Sequence, residues 1–367
     1  MHRLYSHGSY CFLLLLLCLP CRSFSSRILE LRPASHSSPD DGVVTAWRNF
    51  TRLVDAAKGR EVAGVADLKR YMHRFGYLPK TGNAVWNFTD AFDHELQSAV
   101  YKYQTNLGLP VTGELDSITI GSIISPRCGV GDEAHDKASV HATRRFAYFS
   151  GEPRWKRKSP VTLSYAFSPN DTIDYLTPEE IKSTFNRSFS LWSTVIPVTF
   201  VEAKTYETAD IKIGFYEGSH GDGKPFDGVL GVLGHAFCPE GGRMHLDKSE
   251  TWSVDFNKIT SRVAIDLESV VTHEVGHILG LAHSSVPEAV MYPSLKPRTK
   301  KVALRIDDVK GIQALYGSNP NFTMKSFLES ENSSNHVTGR KTRLSSVRKT
   351  TFCSLALSSW LLLVILS

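Results

Sequence analysis

The stretch HEVGHILGLAH, residues 273 to 283, restricts the fold of this chain more than any other. On an α-helix, positions four apart lie on one face, so His273 and His277 can offer two imidazoles to one ion. A straight helix would carry His283 elsewhere. Gly280 removes the difficulty, because glycine takes positive φ without a Cβ clash, ends the helix and lets the chain swing back. The chain must therefore contain a helix, a sharp reversal and a third imidazole closing on the first two. Three protein ligands leave the fourth zinc position for water, which is the catalytic arrangement rather than the structural one. Glu274 stands beside the first ligand, where it can reach that water as a general base. Met291, in VMYPS, follows as a packing element beneath the metal.

Two regions of different texture lie before and around this motif. From Trp47 to Ile124 the pattern is helical. Val65, Leu68, Met72 and Phe75 share one face, with Gly76 as a stop. Leu96, Val100, Tyr103 and Leu107 share another, behind an N-cap at Asp93. A third helix starts near Asp116, making a bundle of about 80 residues. Residues 133–160 are polar and basic, with Arg144-Arg145 and RWKRK at 154–158, and read as a linker open to proteolysis. From 161 onward, VTLSYAF, VTFVEA, ADIKIGFY, VLGHAF and RMHLD read as short strands. Thr177 and Pro178 open a helix carrying Ile181, Phe185, Phe189 and Trp192. Further helices are predicted at about 267–279 and 307–316, the last stopped by Gly317.

The chain ends carry their own signals. CFLLLLLCL near the N-terminus is too short to span a bilayer and reads as a secretory signal, residues 1–25. The C-terminal LALSSWLLLVILS follows a polar spacer and small residues, the pattern of a GPI-anchor signal at 336–367, with Asn332, Ser333 and Ser334 as candidate attachment sites, Ser333 foremost; a short transmembrane anchor is the alternative, disfavoured by length. The formal net charge of +5 is matched by the basic residues of that tail. Without it the chain is near neutral, so charge gives no reason to expect a nucleic-acid partner. Asn49, Asn87, Asn170, Asn186, Asn321 and Asn332 head glycosylation sequons, compatible with secretion. Outside the two ends, Cys128 and Cys238 remain. In an oxidising compartment such a pair often forms a disulfide.

With the metal motif, PRCGVGD at 126–132 and HGDGKPFDG…HAF…HLDKSE at 220–250, residues 68–317 resemble a matrix metalloproteinase of the metzincin group, plant type, without a haemopexin-like domain. The resemblance implies an α+β fold: a small all-helical prodomain, then a metzincin catalytic domain with a five-stranded twisted mixed sheet and three helices. It implies a propeptide at 26–145, with a peptidoglycan-binding-like bundle at 47–124 and a cysteine switch at 126–132. The catalytic domain spans 146–317, and a C-terminal linker follows at 318–335. Cys128 would fill the fourth zinc position in the latent form, which argues against a disulfide to Cys238. Arg127 would pair with Asp132. Gly131 stands where the family usually has proline, which loosens the loop. Met291 would form the Met-turn. Cleavage after Arg145 would start the mature chain at Phe146, its ammonium pairing with Asp307 or Asp308. Cleavage after Arg157 is the alternative.

The resemblance further implies a structural zinc on His220, Asp222, His235 and His245, and at least one Ca²⁺ on Asp227, Asp247 and Glu250 with the carbonyls of Gly228, Leu230 and Val232. Where relatives hold a second calcium on Asp210, this chain has Arg243, whose guanidinium could bond Asp210. Substrate would lie along Val232 to Gly234, touching Leu233 and Gly234. Its side chain after the scissile bond, such as leucine, would enter a pocket near Ser269, Val270, Pro293 and Leu295. The expected product is a monomeric, secreted zinc endopeptidase on the outer cell surface or in the extracellular matrix. It would act on extracellular proteins or peptides and be inhibited by its own prodomain. A cell-wall or peptidoglycan-binding protein with an inert metal-stabilised scaffold is the competing reading, and an extracellular metal-binding structural protein a third. Glu274 discriminates, since a scaffold has no use for it.

Overall fold

The computed structural model describes residues 46–79, 87–132 and 146–329. The predicted signal peptide, Arg144-Arg145, Asn332, Ser333, Ser334 and the predicted GPI signal lie outside them.

The first region is the expected bundle. A 3₁₀ turn, Arg48–Leu53, leads into α1 (Val65–Arg74), α2 (His94–Asn106) and α3 (Ser117–Ile123). Asp93 caps α2 through a bond from Leu96 N at 2.9 Å, and Asp116 caps α3 through Thr119 N at 2.7 Å. Each such cap contributes about 1 kcal/mol. Leu68, Met72, Phe75, Leu96, Val100 and Tyr103 are fully buried in one cluster. Each apolar side chain so removed from water stabilises the bundle by roughly 1.5–3 kcal/mol. The cluster does not stop at the domain boundary. It takes in Phe226 and Val232 of the second region, so the bundle's core is completed by the domain it covers.

The second region is a twisted mixed sheet backed by helices. Its strands are β1 (Arg127–Cys128), β2 (Val161–Phe167), β3 (Val198–Glu202), β4 (Ile211–Tyr216), β5 (Val232–Ala236) and β6 (Arg243–Asp247), in the order β1-β5-β6-β4-β2-β3. Only the β5–β6 pairing is antiparallel. Five strands match the expectation; the sixth, β1, belongs to the segment expected to act as the switch and pairs parallel to β5. A small ladder joins β7 (Trp252–Ser253) to β8 (Ile265–Asp266).

Three helices complete the domain. α4 (Pro178–Val195) begins with a full capping box between Thr177 and Glu180. α5 (Leu267–Ile278) is buried at every position but Glu268, as a helix apolar on all sides must be. It lies against α4, where Trp192 donates its indole N–H to Thr272 O at 2.9 Å. α6 (Ile306–Tyr316) ends at Gly317.

Two expectations are corrected. The far half of the supposed linker is packed, not free. Trp155 is 5% exposed and donates its indole N–H to Ile278 O at 2.9 Å, and Tyr148 donates to Gly311 O at 2.7 Å. An apolar residue inside the basic run explains why: Trp155 joins the domain's buried core. The partner of Asp210 is Arg157, which forks onto both its carboxylate oxygens, while Ser164 donates from N and Oγ. Arg243 instead lies over the Phe237 ring at 3.8 Å. Arg157 reaches Asp210 because its segment runs beside β2, a neighbourhood that sequence distance hides.

Candidate metal centre and its seal

The C-terminal turn of α5 does what the motif demands. Gly280 adopts φ 109°, its N–H closes on His277 O at 2.9 Å, and Leu281 N returns to Gly276 O. The reversal brings His283 to the helix. The Nε2 atoms of His273 and His277 are 3.0 Å apart, and those of His277 and His283 are 3.2 Å apart. With Cys128 Sγ they form a four-ligand cluster whose atoms lie within 4.8 Å of one another. Met291 packs beneath, so close that a Cβ on Gly276 would meet its sulfur at 2.2 Å.

Burial, and then the neighbouring imidazoles, push His273 and His277 well below the usual histidine range. They are therefore neutral, the form that binds metal. Burial and the Glu274 carboxylate push the Cys128 thiol well up, and burial pushes Glu274 up to about 8. Both Glu274 oxygens are buried without a hydrogen-bond partner. Burial disfavours the anionic forms of Cys128 and Glu274 as they stand, and a cation among these donors would supply the charge they lack. The donor set, three imidazoles and one sulfur, suits Zn²⁺.

Cys128 reaches the cluster because its strand sits on the edge expected for substrate. Arg127 registers with Val232 and Cys128 with Gly234, and Gly129 N donates to Gly234 O at 2.7 Å. Arg127, fully buried, donates to Asp132 at 2.6 Å, as expected. Cys128 and Cys238 are both free thiols. Beside the cluster a partly open pocket is lined by Leu233, Ser269, Val270, Pro293 and Leu295, all five named from the sequence. Val290, Tyr292 and Lys301 also line it and were missed. Tyr292 lay next to the recognised Met291; Lys301 carries no signal, being brought there by a bond from its N to Ser269 Oγ at 2.7 Å.

A second cluster gathers His220, Asp222, His235 and His245 within 4.8 Å. Asp222 Oδ2 lies 2.9, 2.6 and 2.9 Å from nitrogens of His220, His235 and His245 respectively. Burial pushes His235 down to about 3 and His245 to about 4, again the neutral ligand form. The acidic set is looser. Asp227, Asp247 and Glu250 are not drawn together as tightly as either histidine cluster. Yet Asp247 Oδ2 and Glu250 Oε2 are buried without partners. Burial pushes Asp247 up to about 6 and Glu250 well above the carboxylate range. Two orphaned oxygens beside Leu230, itself at positive φ, suit a hard cation. The sequon residues Asn49, Asn87, Asn170, Asn186 and Asn321 are exposed.

Among the described residues no helix is long and apolar enough to cross a membrane. The matrixin family matches residues 154–317, and a putative peptidoglycan binding domain matches residues 61–123. Metalloendoproteinase 1-MMP of Arabidopsis thaliana is 51% identical over 328 residues, covering 88% of each chain. Metalloendoproteinase 4-MMP of the same plant is 52% identical over 280 residues, covering 76% of this chain and 80% of the relative. Human matrix metalloproteinase-20 is 36% identical over 275 residues, 74% of this chain and 49% of the relative. Together with the three convergent imidazoles at the end of α5, these likenesses show that the chain belongs to the matrixin family, as a zinc metalloendopeptidase of the plant matrix metalloproteinase type.

Proposed function

We propose that the chain is made as a latent zymogen, secreted and tethered at the outer cell surface, and that once freed of its prodomain it cuts internal peptide bonds of extracellular proteins. One observation carries the reading: the propeptide's β1 occupies the β5 edge and sets Cys128 Sγ 3.4 Å from His277 Nε2. A strand that plugs an edge and a metal position together is an inhibitor of whatever uses both.

His273, His277 and His283 would hold zinc, which when bound would supply a Lewis acid to polarise a peptide carbonyl and lower the pKa of water. Glu274 accepts the proton of the attacking water and hands it to the leaving nitrogen. The β5 edge aligns the substrate backbone through Leu233 and Gly234. The cavity walled by Ser269, Val270, Pro293 and Leu295 takes the apolar side chain that follows the cut. His220, Asp222, His235 and His245 hold a structural zinc, closed by four protein ligands. Asp227, Asp247 and Glu250, with the carbonyls of Gly228, Leu230 and Val232, hold calcium. Processing before Phe146 keeps the packed segment around Trp155 in the mature enzyme. The peptidoglycan-binding-like bundle needs no separate ligand to explain it, since it holds the switch segment in place.

The test is to express residues 26–331, remove the prodomain and follow a quenched peptide with leucine after the scissile bond, with and without chelator. Cleavage that chelator abolishes, and that Glu274→Ala lowers on the order of 10²–10⁴-fold, supports the reading. Equal rates for wild type and Glu274→Ala would falsify the mechanism.

A further inference from the structure

The three imidazoles of the metal centre are not held alike. His273 Nδ1 donates to Val290 O and His277 Nδ1 to Leu281 O, both at 2.7 Å and both within the catalytic domain. His283 Nδ1 donates instead to Asp132 Oδ1, also at 2.7 Å, and Asp132 belongs to the propeptide. The distal nitrogen's partner fixes a ligand's tautomer and ring orientation. One of the three ligands is therefore oriented by a segment that activation removes.

Asp132 is itself gripped by the bundle. Tyr77, just beyond α1, donates its hydroxyl to Asp132 Oδ2 at 2.5 Å. Phe75 O accepts from Asp132 N at 2.9 Å, and Asn106, the last residue of α2, donates to Asp132 O at 3.2 Å. Arg127, stacked on the Phe75 ring at 3.9 Å, takes the remaining share of Oδ1. The ion pair here is buried on both sides, with side chains 0% and 3% exposed. Burial alone would push Asp132 up; Arg127 and the His283 bond overcome it and hold the carboxyl well below the usual range. The ring of contacts also answers the looseness expected of Gly131. Its neighbour Asp132 is fixed at N–H, carbonyl and carboxylate, so a rigid proline is not needed to keep the loop in place.

We infer that Asp132 is a positioning residue for the zinc ligand His283, that Tyr77 fixes Asp132, and that the helical bundle thus holds the metal centre at two points, Cys128 and His283. Release of the bundle would uncover the open metal position and, in the same event, strip one ligand of its outer partner. The inference rests on the reading of Cys128 as the seal, and goes beyond it.

The cobalt-substituted full zymogen tests it without recourse to activity. Its paramagnetically shifted proton spectrum should show the Nδ1–H of each ligand imidazole, and its absorption the thiolate-to-cobalt band. In Tyr77→Phe, and more strongly in Asp132→Ala, one of the three N–H signals should shift and exchange with solvent at least tenfold faster, the other two staying put. Tyr77→Phe removes a single oxygen and keeps the bundle's packing, so it covers the case in which Asp132→Ala fails to fold. Three unchanged signals, or three that move together, would overturn the positioning role while leaving the seal intact. A wild-type zymogen with no thiolate band would instead overturn the seal, and this inference with it.

Discussion

At the scale of single residues, the metal centre depends on two glycines for different reasons. Gly280 needs φ 109°, and a Cβ there would also meet Pro153 O at 2.2 Å. Gly276 leaves room for Met291. The first need was legible in the sequence, since three histidines at those spacings require a reversal; the second was not, because Met291 arrives from a separate segment. Gly280→Ala should cost roughly 1–3 kcal/mol of backbone strain before any clash is counted. Denaturant unfolding should show that loss, and zinc content should fall below that of the wild type, because His283 no longer reaches the cluster. Full zinc content with unchanged stability would refute this account of the turn.

At the scale of elements, the loop between β4 and β5 leans on groups from outside it. Asp247, which ends β6, and Glu250, just beyond, are buried with oxygens left unpaired, and Glu250 accepts from Leu230 N of the loop at 2.7 Å. On the propeptide side, Arg74 donates to Pro225 O at 2.7 Å and approaches Asp227 at 3.4 Å, and Ala46 N donates to Val229 O at 3.1 Å. A cation at the acidic set should stabilise this loop and the surface on which the bundle rests. Calcium at about a hundred times its dissociation constant should add roughly 2.7 kcal/mol to stability. A rise in Tm with calcium, reduced in Asp247→Asn, is the expected outcome; a Tm indifferent to calcium would count against the site. The strands and helices here were legible from alternation and capping residues. The tie between Arg74 and the loop was not, since 153 positions separate its partners.

At the scale of the whole molecule, the two candidate processing points give mature chains of different stability. A chain beginning at Phe146 keeps Trp155 in the buried core and Arg157 on Asp210. One beginning after Arg157 loses both. Losing a buried tryptophan side chain alone costs about 3–5 kcal/mol. A domain starting at Lys158 should therefore melt well below one starting at Phe146, and calorimetry of the two would decide. The sequence reading took the basic residues around Trp155 as evidence of a free linker, whereas Trp155 is buried in the core. Charge along a segment says little about packing when one large apolar side chain is its anchor. The α+β architecture was foreseeable from periodicity and resemblance; the use of the switch segment as a sixth strand was not, because two residues carry no strand pattern.

That sixth strand has a consequence for the proposed zymogen. While joined to the domain, Arg127–Cys128 meets the β5 edge as a neighbour, at the high effective concentration that covalent linkage gives. One cut in the connecting chain turns the same encounter into a meeting of two solutes. On the proposed zymogen reading, a freed piece at low protein concentration is diluted away rather than rebound. On that reading, activation is made one-way by geometry, and needs no change in the strength of any contact.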